Sequence, residues 1–142
     1  MHFAYFETEF RCPDLSLAWP TEFAIITAYA PIGEDWPQAR NEASDRELGA
    51  QLWAASNWVN RLTGFSPTTS HAEPGWAVDI SWEAACDVGL QYHQDAIYYV
   101  IGNTLWVTYC DDRRELVRVG DFRERLHQGD SDIPVDYRSP SR

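Results

Sequence analysis

The chain has 142 residues, the size of one ordinary domain, and is 44% hydrophobic with seven Trp and seven Tyr, which excludes a wholly disordered chain because that much apolar surface has to be buried. A formal charge of -11 gives a field that repels a phosphate backbone and argues against direct binding of nucleic acid. Cys12, Cys86 and Cys110 are odd in number and lack a C-x-x-C spacing, which argues against a disulfide framework or a zinc ribbon and for free thiols in a reducing cytoplasm.

In chain order, HFAYFETEF (2–10) mixes aromatic and polar residues at near-alternate positions and predicts a strand. The segment with Pro13 and Pro20 is a loop that delivers the chain to FAIITAYA (23–30), a β-branched and aromatic central strand ended by Pro31 and Gly33. Leu48, Leu52, Ala55, Val59 and Leu62 recur at helical spacing and predict a helix from Asn41 to Thr63, with a capping box at Ser44–Glu47 and a stop at Gly64. Two strands follow, 65–70 and 75–80, around a turn in HAEPG. Ser81 is placed to cap a second helix running to Tyr92.

AIYYVI and TLWVTYC flank Gly102-Asn103, a pair suited to a two-residue hairpin loop, and ELVRV (115–119) predicts one more strand. Asp121 is positioned to cap a short C-terminal helix, DFRERLH, and the polar stretch 129–142 is expected to be a flexible tail. The order β-β-α-β-β-α-β-β-β-α predicts an α+β fold: one domain over 1–128, a two-layer sandwich of a mixed or antiparallel sheet with two main helices and a short C-terminal one. The N-terminus has no basic leader, and no apolar run approaches the eighteen or so residues that cross a bilayer, so a soluble cytoplasmic protein is expected.

Candidate chemistry is sparse. The four histidines show no metal-type spacing; the best constellation, His71, Glu73, Asp79, His93 and Asp95, is a weak candidate for an ion. There is no G-x-S-x-G elbow, and Cys86 sits among alanines and a valine where a buried, inert thiol is expected. Isolated glycines offer no phosphate loop. Trp36, in a polar loop, and Trp58, off the leucine stripe, are the tryptophans expected to be exposed. From Arg61 to Arg113 there is no basic residue between, while Glu73, Asp79, Glu83, Asp87, Asp95, Asp111 and Asp112 fall there, a solvated rim or a face for a basic partner.

FAIITAYAP, a helix opened by Asn41 and bearing Leu48 and Leu52, an acid-bearing strand pair from Glu73, and HQDAIYYV together resemble the bacterial domain-of-unknown-function 3293 family, over about Phe3 to Leu126. Thr27, Ala28, Tyr29 and Pro31 match that family's T-A-x-N-P strand end, with Ala30 in place of the asparagine. Gln94 and Ala96 match its Q-x-A step, and Asn41 and Glu73 match recurring polar positions. The resemblance implies candidate positions and no activity.

The resulting expectation is a non-catalytic binding or protein-interaction module that presents Thr27, Tyr29, Asn41, Glu73, Gln94 and Asp95 near one end of its sheet, needs no cofactor, and engages a protein partner and neither nucleic acid nor membrane. Two alternatives stand beside it. One is an acidic inhibitor or immunity-type protein that masks a basic surface; the other is a small metal-assisted enzyme using His71, Glu73, His93 and Asp95.

Overall fold

The computed structural model describes residues 1–129. Two helices, α1 (Gln38–Ala55) and α2 (Trp82–Gln91), accompany eight strands: β1 (Glu9–Cys12), β2 (Glu22–Ile26), β3 (Val59–Phe65), β4 (Ala72–Val78), β5 (Ala96–Ile101), β6 (Thr104–Tyr109), β7 (Val117–Asp121) and β8 (Leu126–Gln128). They form one sheet in the order β7-β6-β5-β2-β4-β3-β1-β8, antiparallel throughout except for the parallel pair β1 and β8. The fold is therefore α+β with a mixed sheet.

Chain connectivity forces that sheet to curl. β7 and β8 are its two edges, yet only Phe122–Arg125 separates them in sequence. Eight strands laid flat would put the edges about 34 Å apart, whereas so short a link reaches at most about 17 Å. The edges must approach, and the ladder folds toward a barrel instead of forming the flat layer of a two-layer sandwich. Phe122 in the link is fully buried against Phe10, Trp19 and Phe23, and Arg125 donates to the Phe6 and Thr8 carbonyls at 3.0 Å each, tying the closure to the N-terminal segment.

Curling gives the sheet two buried faces, visible in the alternation of β2. Ala24 and Ile26 belong to a cluster with Leu48 and Leu52 of α1 and Ala85 and Cys86 of α2 on the outer face. Phe23 and Ile25 belong to the concave one, with Phe10, Leu62, Ala77, Val100, Leu105 and Phe122. This second cluster absorbs Trp19 and Trp58, so Trp58, expected at the surface, packs against Trp19 and Phe23. Trp36 is half-buried under the Arg40 guanidinium, 3.6 Å from the ring centre; the exposed tryptophan is Trp53.

Several predicted boundaries move. α1 begins at Gln38 behind Pro37, so Ser44–Glu47 lies inside the helix and caps nothing. It ends at Ala55, and Val59, Leu62 and Gly64 belong to β3, paired residue by residue with β4. Ser56 makes the break: its hydroxyl donates to the Asp79 carbonyl at 2.9 Å and accepts from the Trp58 amide, offering the backbone an alternative to another helical turn. The turn between β3 and β4 is Ser66–His71, closed by the Ser66 amide on the His71 carbonyl, so Pro74 lies inside a strand.

The N-terminal segment is a 3₁₀ turn, Phe3–Phe6, before β1, because the His2 ring caps it by accepting from the Ala4 amide. The expected C-terminal helix is only a 3₁₀ turn at Arg123–Arg125 followed by β8, and Asp121 ends β7 without capping it. Backbone pairing with β1 outbids a helix there. The expected tail lies, beyond Gly129, outside the described residues; the Gly129 amide bonds the Cys12 carbonyl at 2.9 Å.

Candidate functional site

Where the curl leaves one end of the concave face unfilled, a cavity of about 380 Å³ opens. The strand alternation that buries Ile25 carries on to Thr27, and across the β2–β4 ladder stands Gly75, where an added Cβ would lie 2.7 Å from the Thr27 methyl and 2.8 Å from the Ile26 carbonyl. Glycine is thus the residue that lets Thr27 sit against the strand. Two residues earlier on the same face of β4 is Glu73, whose Oε1 accepts the Thr27 hydroxyl proton at 3.0 Å. Its other oxygen faces His71 Nε2 at 3.4 Å.

Gln94 arrives from the far side through the end of α2. His93 has φ +63, and the pattern around it, His93 amide to Leu90 carbonyl at 3.1 Å and Gln94 amide to Gly89 carbonyl at 2.9 Å, is a Schellman stop with histidine in the left-handed position. The reversal sends the Gln94 side chain inward. Its amide nitrogen donates to the carbonyls of Tyr29 (2.9 Å) and Tyr92 (3.1 Å), which orients its oxygen toward the Thr27 hydroxyl, 3.4 Å away. Asp95, next in line, borders the cavity with an exposed side chain while its carbonyl accepts the Cys110 amide.

Thr27, Glu73, Gln94 and Asp95 therefore meet at one cavity wall, and His71 joins them at its rim. Tyr29 and Asn41 stand behind the wall. The buried Asn41 side chain accepts the Ala30 amide at 2.9 Å and so shapes the loop after β2, while the Tyr29 hydroxyl accepts from Gln38 at 3.4 Å. His93 is an exposed helix stop, and Asp79, at the opposite end of β4, is separated from Glu73 by roughly 20 Å of strand. Among the described residues no group of three His, Cys, Asp or Glu side chains is arranged to hold a metal ion.

The other walls were not legible as a site. Phe3, Tyr5, Phe10, Phe65 and Tyr98 supply aromatic surface. Tyr98 follows Ala96 on the concave face of β5, and its hydroxyl donates to the Tyr5 carbonyl at 2.7 Å. Burial, reinforced by the charges of Asp95 and Glu73, pushes the Tyr5 hydroxyl up to about 12, and burial likewise raises Tyr98. The sequence marks AIYYVI only as a hairpin strand; the curl shows that the side Tyr98 faces is hollow.

Cys86 and Cys110 meet between α2 and the end of β6, both fully buried. Their contact draws the Cys86 thiol down and, with burial, pushes Cys110 up, while Cys86 donates to the Tyr109 carbonyl at 3.8 Å. Gly89 makes room for them: a Cβ there would come 2.5 Å from the Cys110 sulfur.

The acidic middle of the chain finds its cations at its own end, since Arg114 pairs with Asp87 at 2.7 Å and Arg113 with Asp111 at 2.6 Å. No helix among the described residues is long and apolar enough to cross a membrane. No curated protein and no solved structure matches the chain. A family model described as "Protein of unknown function (DUF3293)" matches residues 26–97, from the end of β2 to the start of β5, a shorter stretch than the resemblance spans. The match takes in Thr27, Tyr29, Asn41, Glu73, Gln94 and Asp95, and with it about half of the sequence: the chain belongs to the DUF3293 family.

Proposed function

We propose that this protein is a non-catalytic binding module of the bacterial cytoplasm, and that the cavity at the open end of its curled sheet is where it binds. One observation carries this reading: a largely apolar hollow of about 380 Å³, the lower part of the range for small-ligand sites, in which Thr27, Glu73, Gln94 and Asp95 converge. Glu73 and Gln94 are tied to Thr27 and to backbone carbonyls, so their positions are set before anything binds, which lowers the ordering cost of recognition. Free thiols fit a reducing compartment.

Metal-assisted catalysis draws no support from the geometry, because His93 is engaged as a helix stop and lies apart from His71 and Glu73. The test is to fill the hollow. Gly64 borders it, and a Cβ there meets only Thr8 and Phe10 at 3.4 Å or more, so Gly64→Leu projects into the space without a backbone clash. Ligand-observed NMR with a library of small aromatic fragments should give hits on the native protein that vanish with this variant, both proteins being folded by circular dichroism. Equal hits on the two proteins would sink the proposal.

A further inference from the structure

Resting on the reading of the cavity as a binding site, we infer that its ligand class is a compact organic cation: an ammonium carried on an aromatic or short aliphatic body. Among the described residues the charge of the lining has one sign: Glu7, Glu73 and Asp95 border the hollow, and no Lys or Arg does.

The basic groups nearby are committed elsewhere. Arg125 is spent on the Phe6 and Thr8 carbonyls, and Arg11 lies over the Phe65 ring at 4.6 Å. His71 Nε2 faces the second oxygen of Glu73 at the long distance of 3.4 Å. A carboxylate with one oxygen held by a hydroxyl and the other so weakly paired is an acceptor aimed at a donor that comes from outside.

The walls fit the rest of such a molecule. Tyr5 and Tyr98 stand edge to face with ring centres 6.2 Å apart, and Phe10 meets Tyr98 at 5.3 Å. Aromatic faces attract cations most strongly where water is excluded, so an ammonium gains twice, from the carboxylates and from the rings. At the mouth Phe3 is 69% and Ile32 56% exposed, an apolar rim that the ligand's body would cover. The same features repel a carboxylate or phosphate, whose charge would meet Glu73 and Asp95 with no compensating donor of full charge among the described residues. A hollow of about 380 Å³ admits a single ring with a two- or three-atom arm.

A matched series separates charge from shape: 2-phenylethylamine, 2-phenylethanol and 3-phenylpropanoate, titrated into the full chain by NMR or calorimetry at pH 7. The amine should bind at least tenfold more tightly than the alcohol, and the propanoate should not bind. Glu73→Gln, which keeps the bond to Thr27 but drops the charge, should cost the amine about tenfold and leave the alcohol unchanged. Asp95→Asn, at an exposed side chain, gives the same test without touching the fold.

Equal affinity for all three probes, or amine binding indifferent to both substitutions, overturns the cation assignment while leaving the cavity as a binding site. Displacement of none of the probes by Gly64→Leu would instead remove the site itself. Should Arg- or Lys-bearing peptides bind and the free amine not, a small-molecule cation is likewise refuted.

Discussion

Removing the Arg61 side chain tests how α1 is held to the sheet. Its guanidinium grips the Asp45 carboxylate with both terminal nitrogens, at 2.9 and 2.5 Å, and lies on the Trp76 ring 4.1 Å from its centre. Trp76 returns a bond from its indole nitrogen to the Asp45 carbonyl at 3.2 Å and rests where Gly49 leaves no side chain. The Asp45 side chain is 7% exposed, so Arg61→Met leaves a carboxylate almost out of water with no countercharge. Such a loss costs about 3 to 5 kcal/mol, a large part of the stability of an ordinary domain, and should lower the melting temperature by roughly 10 to 17 °C.

Replacing both partners, Asp45→Leu with Arg61→Met, removes the stranded charge and should recover most of that loss, since the pair's own net contribution is small once desolvation is counted. Urea unfolding of the two single variants and the double one, followed by tryptophan fluorescence, gives the coupling energy directly. Single losses under about 1 kcal/mol that simply add in the double variant would refute the reasoning, because they would mean that Asp45 is solvated.

Three further outcomes follow from particular residues. His93→Gly should stabilise the protein by about 0.5 to 1 kcal/mol in urea unfolding, because φ +63 suits glycine and strains histidine; a loss would show that the imidazole itself makes a needed contact. Burial raises Tyr5 to about 12, and Tyr99 also, from an ordinary value of 10, so the folded state holds protons that the unfolded chain releases. That stability is complete below pH 10 and fades as the pH climbs from 10 toward 12, and tyrosinate absorbance should rise late and together with unfolding; a full rise at pH 10 with the fold intact would contradict it. A chromogenic disulfide reagent should label none of Cys12, Cys86 and Cys110 within minutes at pH 7, and all three in denaturant, since each is buried. Fast labelling of Cys86 would mean that its lowered thiol is reachable.

Elements that depend on near neighbours were readable from the chain alone. Ser81 caps α2 by accepting the Ala84 amide at 3.2 Å, and Gly102, at φ +63, turns the β5–β6 hairpin with Ile101 opposite Thr104. Thr27, Glu73 and Gln94, positions marked by the family resemblance, and Asp95, a polar residue at a helix end, all border one cavity. Asn41 and Tyr29, marked by the same resemblance, hold the loop behind it. The histidines misled, because a ligand and a helix stop look alike in one dimension: His93 ends α2, and His71 is a rim residue.

What the sequence by itself determined was the order of strands and helices through β7, the α2 cap and the hairpin turn, all governed by contacts a few residues apart. Tertiary structure alone decided that the leucine stripe breaks after Ala55, since Val59 to Phe65 gain seven paired positions on β4 that no helix offers. It also decided that Leu126–Gln128 closes beside β1. Strand pairing is settled by partners many residues away, and the short link from β7 to β8 turns that pairing into a curl. The cavity is the part of that curl which the side chains do not fill, and so it has no signature in any single stretch of the chain.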